Sequence, residues 1–267
     1  MPPGIGVVDT LIDLPAGDLG EMPHQYLYKA RPDVPGSAAT DPLGALLAEM
    51  DRFGVERGML PVREAGDLRA EAIRHHPDRL FGSGEADPTA GAAGVEHLRR
   101  LHGEVGIKAA ASFPAGYQVP IDDSRYFPLY EVCIELDIAI CVCAGVPGPR
   151  LPLSPQKVER IDEVCWRYPE LRFVTRHGCE PWTALAVKLL LKWPGLYYST
   201  SAFAPKHYPA DIVEFANTRG ADKVIYAGYF PMGLSLERIF TELPAVPFRD
   251  HVWPKFLRDN AVEVFKL

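Results

Sequence analysis

Short apolar runs alternate with amphipathic segments along almost the whole chain. Each run ends at a polar or small residue, which is the pattern of a buried parallel strand. Helical spacing of apolar residues follows most runs, as at Leu43, Leu46 and Met50 after the first. Prolines and glycines fall mostly between these elements and mark short connections. Eight strands are predicted, near residues 4–9, 55–62, 79–84, 105–111, 138–143, 171–177, 195–201 and 223–227.

Eight strands that alternate with helices predict a single α/β domain built as a parallel (β/α)8 barrel, or TIM barrel. A doubly wound open sheet is the alternative, but it usually has fewer strands and a glycine-rich first turn, which this chain lacks. The 267 residues suit one domain of this size. Residues 14–42 are predicted to form a long loop or lid after the first strand, and residues 234–267 the C-terminal helices.

Composition narrows the classes of function. The formal net charge is −7, and no run of Lys and Arg is longer than the pair Arg99-Arg100. Nucleic acids and anionic membranes require a concentrated basic face, so neither is an expected partner. The N-terminus has no basic region followed by a long apolar stretch, so no signal peptide or spanning helix is predicted. Five cysteines without a Cys-x-x-Cys pair do not indicate a disulfide framework, and we expect a cytoplasmic protein.

The predicted sixth strand stops at His177, and Gly178 then turns the chain. Active sites of (β/α)8 barrels lie at the C-terminal ends of the strands, which makes His177 the first candidate for a functional residue. A histidine that only satisfies a buried polar contact is the alternative. If His177 faces the barrel interior, alternation places Thr175 inside as well and turns Arg176 toward the helices.

Two further candidates lie at the predicted ends of the fourth and fifth strands. Lys108 ends the fourth strand, and a buried ammonium there requires an anionic partner, either a substrate carboxylate or an internal ion pair. Cys143 shares a face of the fifth strand with Cys141. It is a candidate nucleophile or metal ligand, although free cysteine is more often a small buried apolar side chain.

The last two candidates belong to the first and eighth strands. Asp13 shares a face with Asp9 and Leu11 if the first strand remains extended that far. Asp13 is a candidate general acid, general base or metal ligand. The alternative is a turn residue ahead of a proline. Tyr229 lies just past the eighth strand, where it either donates a hydrogen bond to a developing oxyanion or packs at the barrel rim.

An ordered series of motifs resembles the amidohydrolase superfamily, and most closely the amidohydrolase-related group that includes aminocarboxymuconate-semialdehyde decarboxylase. The resemblance spans nearly the whole chain and implies a distorted (β/α)8 barrel. Members of this family bind a divalent metal at the strand ends and hydrolyse, decarboxylate or hydrate small, often carboxylated molecules. The motifs are Val8-Asp9-Thr10-Leu11-Ile12-Asp13, Gly106-Ile107-Lys108, Asp122–Glu131, Val142-Cys143-Ala144-Gly145, Arg176-His177-Gly178, Ala227-Gly228-Tyr229-Phe230-Pro231 and Asp259-Asn260-Ala261.

The chain departs from this family at the metal ligands. The family's His-x-His corresponds to Leu11 and Asp13, its fifth-strand histidine to Cys143, and its eighth-strand aspartate to Tyr229. Only the sixth-strand histidine is kept, as His177. A leucine cannot bind a metal, and a neutral phenol is a poor ligand, so the family's metal site is not expected. A rearranged zinc site of Asp13, Cys143 and His177 has acceptable ligand chemistry and stays an alternative.

We therefore predict a metal-independent, cofactor-free enzyme that acts on a small carboxylated substrate, by hydrolysis of a lactone- or amide-type bond or by decarboxylation. His177 is the predicted acid/base or oxyanion hydrogen-bond donor, and Asp13 and Tyr229 assist proton transfer. A barrel that has lost catalysis and binds a ligand or a partner protein is the second hypothesis, and the rearranged zinc enzyme is the third. The resemblance suggests a homodimer. The predicted substrate contacts are Lys108, Cys143 and Arg176.

Overall fold

The computed structural model describes residues 4–15 and 40–267. Within these ranges, eight parallel strands form one curled sheet, and each strand pairs with the next along the chain. The predicted (β/α)8 barrel is confirmed, as a single domain. The strands are β1 Val7–Asp9, β2 Val55–Val62, β3 Leu80–Glu85, β4 Ala109–Ser112, β5 Ala139–Cys143, β6 Phe173–Arg176, β7 Leu196–Ser199 and β8 Val224–Ile225.

Helices follow the strands and cover the outer face of the sheet. Their ends obey local chemistry: the Asp41 carboxylate accepts the Gly44 N–H at the start of the first helix, and Gly54 closes that helix with φ 69°. A π-helical turn, Lys255–Asp259, joins the last two helices. The α-helices are α1 Pro42–Phe53, α2 Leu68–His75, α3 Ala92–Val105, α4 Pro114–Tyr117, α5 Phe127–Glu135, α6 Arg160–Arg167, α7 Thr183–Lys192, α8 Ala210–Thr218, α9 Leu236–Glu242, α10 Val252–Pro254 and α11 Asn260–Phe265.

Apolar side chains pack on both faces of the sheet. The large outer cluster joins strand residues such as Val7, Ile140 and Phe173 to the helices. A smaller inner cluster fills the barrel near the starts of the strands, where Val264 and Phe265 of α11 pack against it. Other residues line the interior at the C-terminal ends of the strands. The strand members of the inner cluster are Val8, Met59, Phe81, Ala109, Ala139, Cys141, Val174 and Ile225.

The barrel closes between β8 and β1 through irregular hydrogen bonds. Asp13 donates its backbone N–H to the Phe230 carbonyl oxygen at 2.8 Å, and Tyr229 donates its own to the Leu11 carbonyl oxygen at 2.8 Å. These bonds lie beyond the last regular residues of both strands. They therefore hold two candidate residues, Asp13 and Tyr229, at the same edge of the barrel. We call the two segments, residues 9–13 and 226–230, the seam.

The fourth strand begins later than the sequence pattern indicated. Helix α3 runs to Val105, and Gly106 caps it in the left-handed conformation, with φ 73°. Lys108 therefore precedes β4, which begins at Ala109. The prediction that Lys108 ends the fourth strand is wrong. In a parallel barrel, a residue before a strand lies at the opposite end from the strand C-termini.

The first strand is shorter than the motif suggested. It ends at Asp9, and the chain bends at residues 10 and 11, so alternation does not place Asp9, Leu11 and Asp13 on one face. Of the predicted loop at 14–42, residues 16–39 lie outside the described residues, and α1 begins at Pro42. The C-terminal region contains α9, α10 and α11, close to the helical patterns predicted there. No helix in the described ranges is long and apolar enough to cross a membrane.

Candidate active site

Arg176 is the last residue of β6 and faces the barrel interior. Val174 belongs to the inner cluster and Phe173 to the outer one, so alternation carries Arg176 inward. The sequence-based expectation that Arg176 turns toward the helices is wrong. The reason lies at His177, whose φ of 67° is in the left-handed region, so the extended conformation ends one residue earlier.

The Arg176 guanidinium is a buried cation without a complete set of partners. The residue is only 7% exposed. Its Nη2 atom has no hydrogen-bond partner among the described residues, and none of the ion pairs formed within them includes Arg176. An unsatisfied buried charge costs several kcal/mol or more, so this site favours an anion.

Two thiols lie beside this guanidinium. Burial raises the pKa of Cys143 to about 12, against a smaller lowering by the charge of Arg176. Burial also raises the pKa of Cys141, and the charge of Arg176 together with a hydrogen bond from it lowers this pKa by a smaller amount. Both side chains are therefore neutral thiols at neutral pH. A neutral thiol is a poor nucleophile, so Cys143 is better suited to line the interior next to a ligand.

His177 is held by a hydroxyl group and an aromatic ring. Ser201 Oγ accepts the His177 backbone N–H at 3.0 Å and lies 3.1 Å from Nδ1 of the same residue. The Tyr229 ring meets the imidazole edge-to-face, with centroids 5.2 Å apart. Burial, with a smaller contribution from the charge of Arg176, lowers the pKa of His177 to about 3. The imidazole is therefore neutral at neutral pH.

Asp13 is bound by an arginine that the sequence reasoning did not identify. Arg69, in the first turn of α2, donates from Nε to Asp13 Oδ1 at 2.6 Å and from Nη2 to Oδ2 at 2.8 Å. The Leu14 backbone N–H donates to Oδ1 at 2.8 Å. Helix α2 follows β2, so its first turn lies at the C-terminal end of the barrel, where an arginine could have been noticed.

A second buried carboxyl group crosslinks the seam. Asp9 Oδ1 accepts the backbone N–H groups of Leu11 at 3.0 Å and Gly228 at 2.8 Å. Its Oδ2 and the nearby Tyr226 hydroxyl have no hydrogen-bond partner within the described residues. Burial raises the pKa of Asp9 to about 7, against the lowering effect of the two N–H donors. A Cβ atom at Gly228 would lie 2.3 Å from Asp9 Oδ2, so this position requires glycine.

The donor groups at the strand ends do not fit a divalent metal. Leu11 carries no donor atom, and both oxygens of Asp13 are bound to Arg69. Among the residues that the structure describes, no three His, Cys, Asp or Glu side chains form a group that could hold a metal ion. The rearranged Asp13, Cys143 and His177 site thus lacks suitable geometry, and the metal independence of the reaction stays a prediction.

The structure brings most of the predicted site residues to the C-terminal end of the barrel, with Lys108 as the exception. Four of them lie together at the end of β6. Arg176 is close to His177 and Cys143, and the Tyr229 ring contacts His177. Asp13 is joined to the same region through the backbone of the seam. The structure does not bring Lys108 to this end of the barrel.

Solved structures with a similar fold cover almost the whole chain. An uncharacterised TIM-barrel protein from Bordetella bronchiseptica is 21% identical, with a TM-score of 0.79 and 98% of each chain covered. 5-Carboxyvanillate decarboxylase from Sphingomonas paucimobilis is 16% identical, with a TM-score of 0.71, and the match covers 99% of this chain and 100% of that one. At such identities the similarity shows the fold.

The 5-carboxyvanillate decarboxylase from Novosphingobium aromaticivorans is similar to the same extent. Its structure contains manganese and 4-hydroxy-3-methoxy-5-nitrobenzoic acid, and it is 16% identical, with a TM-score of 0.73 over 99% of this chain and 97% of that one. No curated protein matches the chain. A family model described as Amidohydrolase matches residues 14–267. Since this match covers nearly the whole barrel, as the ordered motifs predicted, the chain belongs to the amidohydrolase family.

Proposed function

We propose that the protein is an amidohydrolase-family enzyme that acts on a small carboxylated substrate at the C-terminal mouth of the barrel. The observation that carries this proposal is the buried, incompletely paired guanidinium of Arg176 next to the neutral imidazole of His177. A guanidinium matches a carboxylate through two parallel hydrogen bonds. A carboxylate bound by Arg176 would both satisfy the cation and fix the substrate beside His177.

His177 acts in this proposal as a hydrogen-bond donor to the oxygen that becomes negatively charged. Its pKa of about 3 makes the ring a weak base at neutral pH, so it does not take a proton from water efficiently. A neutral imidazole still carries one N–H group, and a fixed donor aimed at an oxyanion stabilises the transition state. The edge-to-face contact with Tyr229 limits rotation of the ring.

Asp13 has one acceptor position left for a water molecule. A carboxylate accepts about four hydrogen bonds, two on each oxygen. Oδ1 accepts from Arg69 and Leu14, whereas within residues 4–15 and 40–267 Oδ2 accepts only from Arg69. We assign the free position on Oδ2 to the attacking water, and we assign the Tyr229 hydroxyl to the leaving group.

Hydrolysis of a lactone- or amide-type bond fits these roles best. Water adds to the acyl carbon, the C–O or C–N bond breaks, and the proton that water loses reaches the leaving oxygen or nitrogen. A carboxylate elsewhere in the substrate keeps its charge throughout this reaction. Its contact with Arg176 therefore orients the substrate without opposing the bond change.

Decarboxylation is the second candidate, because the carboxyvanillate decarboxylases named above share this fold. In that reaction one carboxylate leaves as neutral CO2 and a proton replaces it on carbon. Binding that same group to Arg176 would stabilise the ground state more than the transition state. A decarboxylase of this geometry would therefore hold a second acidic group of the substrate on Arg176.

The experiment is a turnover and binding screen with lactones, amides and carboxylated aromatic compounds. We expect R176M to lower kcat/KM by roughly 100-fold or more, since it removes a buried charge partner of the substrate. H177A should abolish turnover and keep the far-UV circular dichroism of the wild type. K108M is the matched control, because it removes a cation at the opposite end of the barrel and should leave turnover unchanged.

Wild-type kcat/KM in R176M would contradict the proposal. Binding that depends on Arg176, together with no turnover of any compound, would favour the non-catalytic barrel that the sequence left open. Elemental analysis of protein purified without chelators is the second measurement. We expect zinc and manganese far below one per chain, whereas a stoichiometric metal that is needed for turnover would contradict metal independence. The homodimer also stays a prediction.

A further inference from the structure

Ser201 is a buried serine that sequence reasoning did not select, and among the described residues both hydrogen-bond contacts of its hydroxyl group are with His177. It is 0% exposed and lies in the loop after β7. Its Oγ accepts the backbone N–H of His177 at 3.0 Å, and the same atom is 3.1 Å from Nδ1. One hydroxyl group therefore contacts both the backbone and the ring of His177.

The proton of this hydroxyl group has one available acceptor. A serine hydroxyl donates one hydrogen bond and accepts two. Within the described part of the chain, His177 supplies both hydrogen-bond partners of Oγ, and its backbone N–H can only donate. If Nδ1 carried a proton, Oγ would accept twice and its own proton would be buried without an acceptor. Leaving a buried donor unsatisfied costs about 1–3 kcal/mol.

We infer that Ser201 is a positioning residue that donates its hydroxyl proton to Nδ1 and thereby holds His177 as the tautomer protonated on Nε2. This inference rests on the proposed function, because it names the nitrogen from which His177 donates to the substrate. The Nδ1 atom accepts and Nε2 donates. The same serine also fixes the left-handed backbone of His177, whose φ is 67°.

NMR measures the tautomer of His177 directly, so this test does not depend on turnover. The chain has eight histidines, and comparison of 15N-histidine NMR spectra of the wild type and H177N assigns the His177 signals. We expect the Nδ1 shift of an unprotonated ring nitrogen and the Nε2 shift of a protonated one. In S201A, the Nδ1-protonated form should become populated, and S201T, which keeps a hydroxyl group, should restore the wild-type shifts.

S112A is the matched control, because Ser112 is also a buried serine but pairs with the Tyr126 hydroxyl at 2.9 Å. It should leave the His177 shifts unchanged. With a substrate in hand, S201A should lower kcat by roughly 10- to 100-fold with little change in KM, as expected for a donor that is no longer aligned.

A protonated Nδ1 in the wild type, or an unchanged tautomer in S201A, would overturn the inference. The wild-type spectrum alone decides the first point if S201A does not fold. The NMR shifts test the tautomer of His177. Turnover tests the proposed function separately, which fails if R176M and H177A retain wild-type turnover. The expected tautomer with no turnover would leave Ser201 in its positioning role around a binding site.

Discussion

The seam and the end of β6 both bury ionisable groups, but they balance them differently. At the seam, Asp13 has two hydrogen bonds from Arg69, and Asp9 can take up a proton because burial raises its pKa to about 7. At the end of β6, Arg176 has neither a full set of partners nor a way to become neutral, because Nη2 lacks a partner in the described part of the chain and a guanidinium does not lose its proton. Among the described residues, each carboxyl group of the seam is either paired or able to take up a proton, whereas we propose that a ligand completes the end of β6.

The largest expected difference is between two arginine substitutions of the same kind. R69M leaves Asp13 buried without its partner, and we expect the free energy of unfolding to fall by about 3 kcal/mol. R176M removes a buried cation that has no counterion in the described residues, so the free energy of unfolding should stay the same or rise. Urea denaturation of both variants and the wild type measures the contrast, and equal losses would contradict it.

A second effect concerns Asp9. Its folded pKa, about 7, is above its unfolded value of 3.8, so the folded state binds more protons between these pH values. Stability from this group is therefore fully present below pH 4 and is lost as the pH rises through 7. In D9N this loss disappears, so the variant should gain on the order of 3 kcal/mol relative to the wild type between pH 4 and pH 8. A constant difference in urea midpoint across this range would contradict the assignment.

The smallest effect is the pH dependence of stability that comes from His177, and its sign is opposite to that of Asp9. Its folded pKa, about 3, is below its unfolded value of 6.5, so the unfolded state binds more protons between these values. Stability from this group is present above pH 6.5 and is lost as the pH falls toward 3. His177 as a whole residue is half-buried, and solvent screening reduces the effect, so we expect H177N to remove about 1 kcal/mol of this pH dependence. The same urea series measures it, with H75N, at an exposed histidine, as the control.

The barrel could be predicted because apolar residues repeat with clearly different periods in the strands and the helices of this chain. The bounds of β2, for example, agree with the predicted 55–62. The fourth strand was misplaced for a local reason. Val105-Gly106-Ile107 is apolar enough to indicate a strand, but Val105 packs as the end of α3 and Gly106 is its cap. A glycine with positive φ and a glycine inside a strand look identical in sequence.

The candidate site could be predicted in part. Residue types at strand ends identified His177 and Arg176, but the left-handed backbone at His177 reversed the expected orientation of Arg176. Their supporting residues were missed because the contacts are distant in sequence: Ser201 lies 24 positions from His177, and Arg69 lies 56 from Asp13. Such pairs depend on how neighbouring strands align, β6 with β7 and β1 with β2. The polar run Ser199-Thr200-Ser201 at the predicted end of the seventh strand was the available signal for the first pair.

The left-handed backbone has a consequence for engineering this protein. His177 and Tyr229, the two rings in contact at the site, have φ values of 67° and 64°. A side chain in this conformation costs about 1–2 kcal/mol, and glycine relieves most of that cost. A library selected only for heat resistance should therefore enrich glycine at both positions and lose the ring pair. Selection for thermal tolerance and selection for turnover would act against each other at these two residues.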